Sequence, residues 1–208
     1  MAEVLEDIGE AHFVVHTKPV LEMDDDQFFQ FCQINRDLRI ERTANGDIIM
    51  MAPEGASSGV GNAFLLGKSY HWAEREGSGE VFGSSAGFLL PSGAMRSPDV
   101  SWVRKERLDA LSDAEWEKFP PLCPDFVLEL RSPSDSLRAL QAKMQEYIDN
   151  GARLAWLLDP MNKQVYIYRP GKSVEGVKDA ATLSGEAVLP GFTLDVTALW
   201  RKTNRKLS

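Results

Sequence analysis

Cysteine is nearly absent from this 208-residue chain: Cys32 and Cys123 are the only two, and they stand far apart. Neither has a CxxC partner or a neighbouring histidine, which excludes a disulfide scaffold and a zinc finger. Two free thiols suit a reducing cytoplasm, the expected location. Histidine is scarce too. His12, His16 and His71 are scattered and are read as non-ligands. No run of about 18 uncharged apolar residues exists, so no membrane-spanning helix is expected. The opening MAEVLEDIGEAHFVVH is acidic, with no basic stretch ahead of an apolar one, and a secretory signal is not expected. Repeats, low-complexity segments and a clear linker are also missing.

Basic charge is in deficit. The net charge of −8 argues against a protein that coats nucleic acid nonspecifically. Its distribution is uneven: residues 1–26 hold eight acids against Lys18, whereas Arg201, Lys202, Arg205 and Lys206 make the end basic. This divides the chain into an acidic arm (1–22), one domain (23–200) and a basic tail (201–208). A 43% apolar content over this length is enough for one full hydrophobic core.

The order of elements is that of an α/β domain. After some β character at 13–15, a helix is expected over 23–35, opened by the Asp24–Asp26 run. A hairpin follows at 38–43 and 47–51, turning at Asn45-Gly46. Residues 55–61 read as a small-residue loop and 62–76 as a helix ended by Gly77. Strands are expected at 81–90 and 95–103, then a charged helical stretch over 104–119 closed by Pro120-Pro121. Residues 125–131 alternate, with Phe126, Leu128 and Leu130 on one face and Val127, Glu129 and Arg131 on the other. Ser132 is the expected N-cap of the next helix, whose apolar stripe is Leu137, Leu140, Met144, Tyr147 and Ile148, with Gly151 just beyond it. Strands at 154–158 and 164–168 and a β-rich tail over 170–200 complete the reading. Trp72, Trp102, Trp156 and Trp200 are read as packing residues.

Carboxylates within this pattern suggest a metal site. Two that share one Mg²⁺ must bring their oxygens within about 4 Å of each other. Asp125 and Glu129 share a strand face but are separated by about 13 Å along it. Asp99 opens a different strand, and neighbouring strands lie only about 4.8 Å apart. Asp99 with Glu129 is therefore the workable pair, and Arg131, on the same face as Glu129, could reach a phosphate bidentately. Read singly, Asp99 could be a turn residue and Glu129 the partner of a structural salt bridge with Arg131 or Lys143.

The linked segments Ser97-Pro98-Asp99-Val100, Phe126 to Asp135, Lys143-Met144, and Gly151…Trp156…Asp159-Pro160 resemble a bacterial restriction endonuclease family of the PD-(D/E)XK nuclease superfamily. The resemblance extends from about Leu38 to Trp200 and takes in Gly87-Phe88 and Leu189-Pro190-Gly191-Phe192. It implies a restriction-endonuclease-like fold: a central mixed sheet flanked by helices, here with added N- and C-terminal β elements. It also implies dependence on Mg²⁺, with Mn²⁺ as an alternative, and DNA as the substrate; a homodimer would let both strands be cut. The superfamily pattern expects a lysine two residues after the second acid, where this chain has Arg131. Some members supply that lysine from the next helix, and Lys143, at the border of the apolar stripe beside Tyr147, is the candidate. Glu41 is an accessory acid. The competing reading is a nuclease-fold interaction protein with little or no activity.

Overall fold

The computed structural model describes residues 12–204. Two sheets face different layers of the molecule. The first is a five-stranded antiparallel sheet, in the order β1 (His12–Val15), β3 (Ile48–Met51), β2 (Arg39–Arg42), β6 (Met95–Arg96) and β5 (Phe88–Leu89). The second is six-stranded and mixed: β11 (Glu175–Lys178), β10 (Gln164–Tyr168), β9 (Leu154–Asp159), β8 (Phe126–Leu130), β7 (Val100–Arg104) and β4 (Gly79–Gly83). Only β8 and β9 run parallel, because the chain between them crosses over through helix α5 (Leu137–Asp149), as a parallel pair requires. This is the central mixed sheet flanked by helices expected from the sequence. A short pair, β12 (Thr182–Ser184) and β13 (Thr193–Asp195), lies in the C-terminal part.

Helix α1 (Asp25–Ile34) packs on the five-stranded sheet, burying Phe28 against Ile40, Ile48 and Met95. Asp24 caps it, accepting from the Gln27 amide while the Gln27 side chain accepts from the Asp24 amide. Helices α2 (Ala56–Glu76) and α6 (Val196–Thr203) cover one face of the six-stranded sheet. Alternation in β8 divides the core: Phe126, Leu128 and Leu130 join the cluster under α2 and α6, while Val127 joins Met144 and Tyr147 of α5. Glu129 therefore projects to the α5 side, between sheet and helix.

Several boundaries differ from the sequence reading, for physical reasons. Residues 56–61 are the first turns of α2 rather than a loop. Their smallness serves close packing: a Cβ on Gly61 would stand 2.5 Å from Leu130 Cδ2 and 2.9 Å from Thr203 Cγ2. The stretches 81–90 and 95–103 each divide because the chain changes sheets; β4 and β7 belong to the six-stranded sheet, β5 and β6 to the other. Residues 97–99 make that crossing, which sets Asp99 at the junction of the two sheets. The charged stretch forms two single turns, α3 (Lys105–Leu108) and α4 (Asp113–Trp116), with Ser112 and Glu115 in a capping box. Ser136, not Ser132, caps α5, accepting from the Ala139 amide at 3.3 Å; the Ser132 amide is held by the Asp135 carboxylate at 2.7 Å. Helix α6 replaces the end of the expected β tail, with Asp195 as N-cap and Val196, Leu199 and Trp200 buried at helical spacing. Arg201 and Lys202 of the basic tail belong to α6. Residues 1–11 of the acidic arm and 205–208 of the tail lie outside the described residues. No helix among the described residues is long and apolar enough to cross a membrane.

The second Pro-Asp pair serves the fold. The buried Asp125 carboxylate accepts from the Arg104 amide at 3.1 Å, from Arg104 Nε and Nη2 at 3.0 and 2.8 Å, and lies 3.2 Å from Arg107 Nη1. Burial alone would raise its pKa, but these donors outweigh burial and hold it below the usual carboxylate range. A depressed folded pKa gives stability that is present above the unfolded carboxylate pKa and lost as pH falls through the folded one. We expect Asp125→Ala to cost about 2–3 kcal/mol in a urea melt at pH 7. The difference from wild type should shrink as pH falls below about 4. A difference that stays constant down to pH 2 would contradict this assignment.

Candidate active site

Four of the five residues singled out in the sequence meet where β2, the β6–β7 crossing, β8 and α5 converge. Antiparallel β7 pairs Val100 with Leu128, so the same register sets Asp99 across from Glu129. Both carboxylates are buried. The Leu130 amide donates to Asp99 Oδ2 at 2.9 Å, which leaves Oδ1 with a single long contact, 3.5 Å from Arg39 Nη2. On Glu129, Tyr147 Oη donates to Oε1 at 3.0 Å, and Lys143 Nζ lies 2.8 Å from the same oxygen. Neither contact uses Oε2. Each acid thus has one oxygen closely held and one, Asp99 Oδ1 or Glu129 Oε2, outside those close contacts.

Lys143 faces this cluster. Its ammonium bridges Glu129 and Glu41, 2.9 Å from Glu41 Oε1, and sits 5.9 Å above the Tyr147 ring. Burial would lower the lysine pKa, but the two carboxylates reverse that and keep it charged. Glu41 is the most heavily supported acid of the group. It also accepts from Arg96 Nη1 at 3.1 Å and from the Ser97 amide at 2.9 Å. Burial opposes its ionisation, yet Lys143, Arg96 and that amide pull its pKa down to about 2. Asp99 is the opposite case. Burial, with the like charge of Glu129 behind it, pushes its pKa up to about 7 against the weaker pull of the Leu130 amide and Arg39. Glu129 is also raised, by burial first, in spite of Lys143.

Arg131 is placed differently. Its Nη1 pairs with the buried Asp159 at 2.8 Å and its Nε donates to the Asp135 carbonyl at 3.2 Å. These contacts tie it to the ends of β8 and β9 and not to the acid cluster. Sequence reasoning missed Arg39, Arg96, Tyr147 and Glu146, the last of which binds Arg96 Nε at 2.6 Å. Arg39 carried one usable signal: it lies two residues from Glu41 on the same strand face.

A cleft of about 580 Å³ opens between the β2–β3 hairpin and α5, lined by Glu41, Arg96 and Lys143 together with Ile49, Met51, Ala139 and Leu140. Among the described residues, no group of three or more His, Cys, Asp or Glu is arranged to hold an ion. The donor set still fits a hard divalent cation. Asp99 Oδ1, just ahead of β7, and Glu129 Oε2, on β8, are carboxylate oxygens whose mutual repulsion is the kind a cation relieves, and water can complete the shell of an ion that retains it.

The chain is thus an α/β domain in which two buried acids and a lysine come together at the end of β8 in the mixed sheet. The profile of the Uma2 family, described as "Putative restriction endonuclease", matches residues 25–197, and the chain belongs to that family. Among solved structures it is similar to a "putative nuclease belonging to DUF820" from Anabaena variabilis ATCC 29413. That match has a TM-score of 0.67 and 16% identity, and covers 79% of this chain and 90% of that one. At such identity the likeness carries the fold alone. No curated protein matches the chain.

The Lys143 geometry sets what a substitution there does. Lys143→Met leaves Glu41 and Glu129 buried without their shared cation, so we expect a loss of about 2–4 kcal/mol in chemical denaturation. Adding Glu41→Gln should return part of that loss, with a coupling energy above about 1 kcal/mol in the double-mutant cycle. Strictly additive effects would mean that the bridge contributes nothing.

Proposed function

We propose that this protein is a Mg²⁺-dependent endonuclease that hydrolyses phosphodiester bonds in DNA, with Asp99 and Glu129 holding the ion and Mn²⁺ able to replace it. What supports the reading is the pairing of Val100 with Leu128, whose register carried one residue on sets Asp99 opposite Glu129, with Lys143 on Glu129. A divalent ion there supplies an activated water and offsets charge on the phosphate. The protein's own groups set the geometry. The Leu130 amide fixes one oxygen of Asp99, and Tyr147 and Lys143 fix one oxygen of Glu129. The remaining oxygens then have defined directions. Lys143 stays protonated between two carboxylates, so it acts as a donor and a fixed positive charge for the attacking water or the phosphoryl oxygens, not as a base. Glu41, itself held by Arg96, keeps that ammonium in place. Arg131, paired with Asp159, is assigned to the fold around the site. The cytoplasm, where DNA is available, is the working compartment, and a homodimer would present a second site to the opposite strand.

A cleavage assay with Mg²⁺ on plasmid and linear DNA, wild type against Glu129→Gln, tests this. The amide keeps the shape of the side chain and can still pair with Tyr147, but it loses the ligand charge. Turnover should fall by about 10²-fold or more, with the cooperative melt retained. Cleavage by Glu129→Gln at the wild-type rate would make Glu129 structural. A wild-type chain inert on DNA with either metal would favour the interaction-protein reading.

A further inference from the structure

Three cations surround the acid cluster, and two of them join pairs of acids. Lys143 and Arg96 each bridge two carboxylates. Arg39 is different. Its Nη1 is anchored 3.0 Å from Glu54 Oε1, its Nη2 reaches only to 3.5 Å from Asp99, and its Nε is buried without a hydrogen-bond partner. Nε and Nη2 form one edge of the guanidinium, and that edge has one long contact, to Asp99, and one donor with no partner. It is also the most accessible of the three, with 30% of its side chain exposed against 15% for Lys143 and 10% for Arg96.

We propose that Arg39 is a phosphate-binding residue of the site and that Glu54 is the residue that positions it. The planar Nε–Nη2 edge matches two oxygens of a phosphodiester, and pivoting about the Glu54 contact presents that edge to a strand lying against Asp99. Glu54 suits the anchoring role, because its second oxygen accepts from Asn62 Nδ2 at 2.9 Å. Asn62 lies in the second turn of α2, beside Gly61, which packs on Leu130. The chain of contacts from α2 through Glu54 to Arg39 and Asp99 thus fixes a positive charge beside Asp99. The ligand is a backbone phosphate of nucleic acid, which supplies charge and paired oxygens but no base identity. Arg39 therefore serves affinity and placement, not sequence choice.

This inference rests on the nuclease reading above, and its test separates the two. Binding of a fluorescein-labelled 20-base-pair DNA duplex to the full chain is followed by anisotropy, with Ca²⁺ in place of Mg²⁺, over a salt series. Cleavage with Mg²⁺ and affinity for Mn²⁺ are measured in parallel. Arg39→Met should weaken duplex binding about 5–10-fold and reduce the slope of log K against log salt by about 1, with Mn²⁺ affinity within about threefold of wild type. Arg39→Lys should restore the salt slope yet cleave about 10-fold more slowly, because the charge returns without the two-donor edge. Glu54→Gln should raise KM more than it lowers kcat. A duplex affinity and salt slope in Arg39→Met equal to wild type overturn the proposal while leaving the nuclease reading intact. A wild-type chain that neither binds nor cuts DNA removes both. If Arg39→Met fails to fold, Arg39→Lys decides, and wild-type cleavage in that variant overturns the proposal.

Discussion

The Lys143 ammonium joins three elements that no backbone hydrogen bond connects at this point. It takes one carboxylate from β2 of the five-stranded sheet and one from β8 of the six-stranded sheet, and is itself delivered by α5. Two acids and a base buried at such a junction are costly to desolvate, and their attraction offsets that cost only when every partner is in place. Arg96, Ser97 and Tyr147 complete the set, so the orientation of the two sheets and the conformation of the site are specified by the same contacts.

Not all the acids share in this compensation. Glu41 is saturated with donors and ionises readily, whereas Asp99 is buried with an amide, a distant guanidinium and a like charge for company. A carboxylate maintained in that condition is poorly explained as a contribution to stability. The proposed function gives it a role as one half of a cation-binding pair, in which the unfavourable ionisation of the isolated protein would be relieved on binding. Asp125, from the other Pro-Asp pair, has three donors from one arginine and a fourth contact from Arg107, and belongs to the fold alone.

Much of this was legible in the residues. The alternation at 126–130 assigns the two faces of β8 correctly. The difference between separation along a strand and separation across strands selects Asp99 over Asp125 as the partner of Glu129. The stripe on α5 places Lys143 beside Tyr147. Other features were hidden by identifiable causes. Glycine and serine at 55–61 look like a loop because smallness is ambiguous between a turn and close helix packing. The sheet change between β4 and β7 leaves no local mark, since both sheets use the same strand residues. Arg39, Arg96 and Glu54 reach their partners across large sequence separations that no periodicity encodes, and only their charge beside buried acids could have raised them.

The central claim is that Asp99 and Glu129 form one ion site at the sheet junction. Anomalous diffraction from crystals soaked in Mn²⁺ tests it directly. The account predicts a single strong peak between the two side chains, with Asp99 Oδ1 and Glu129 Oε2 about 2.1–2.3 Å from it and water in the remaining positions. Fully ordered Asp99 and Glu129 with no peak between them, at Mn²⁺ concentrations that support cleavage, would contradict it.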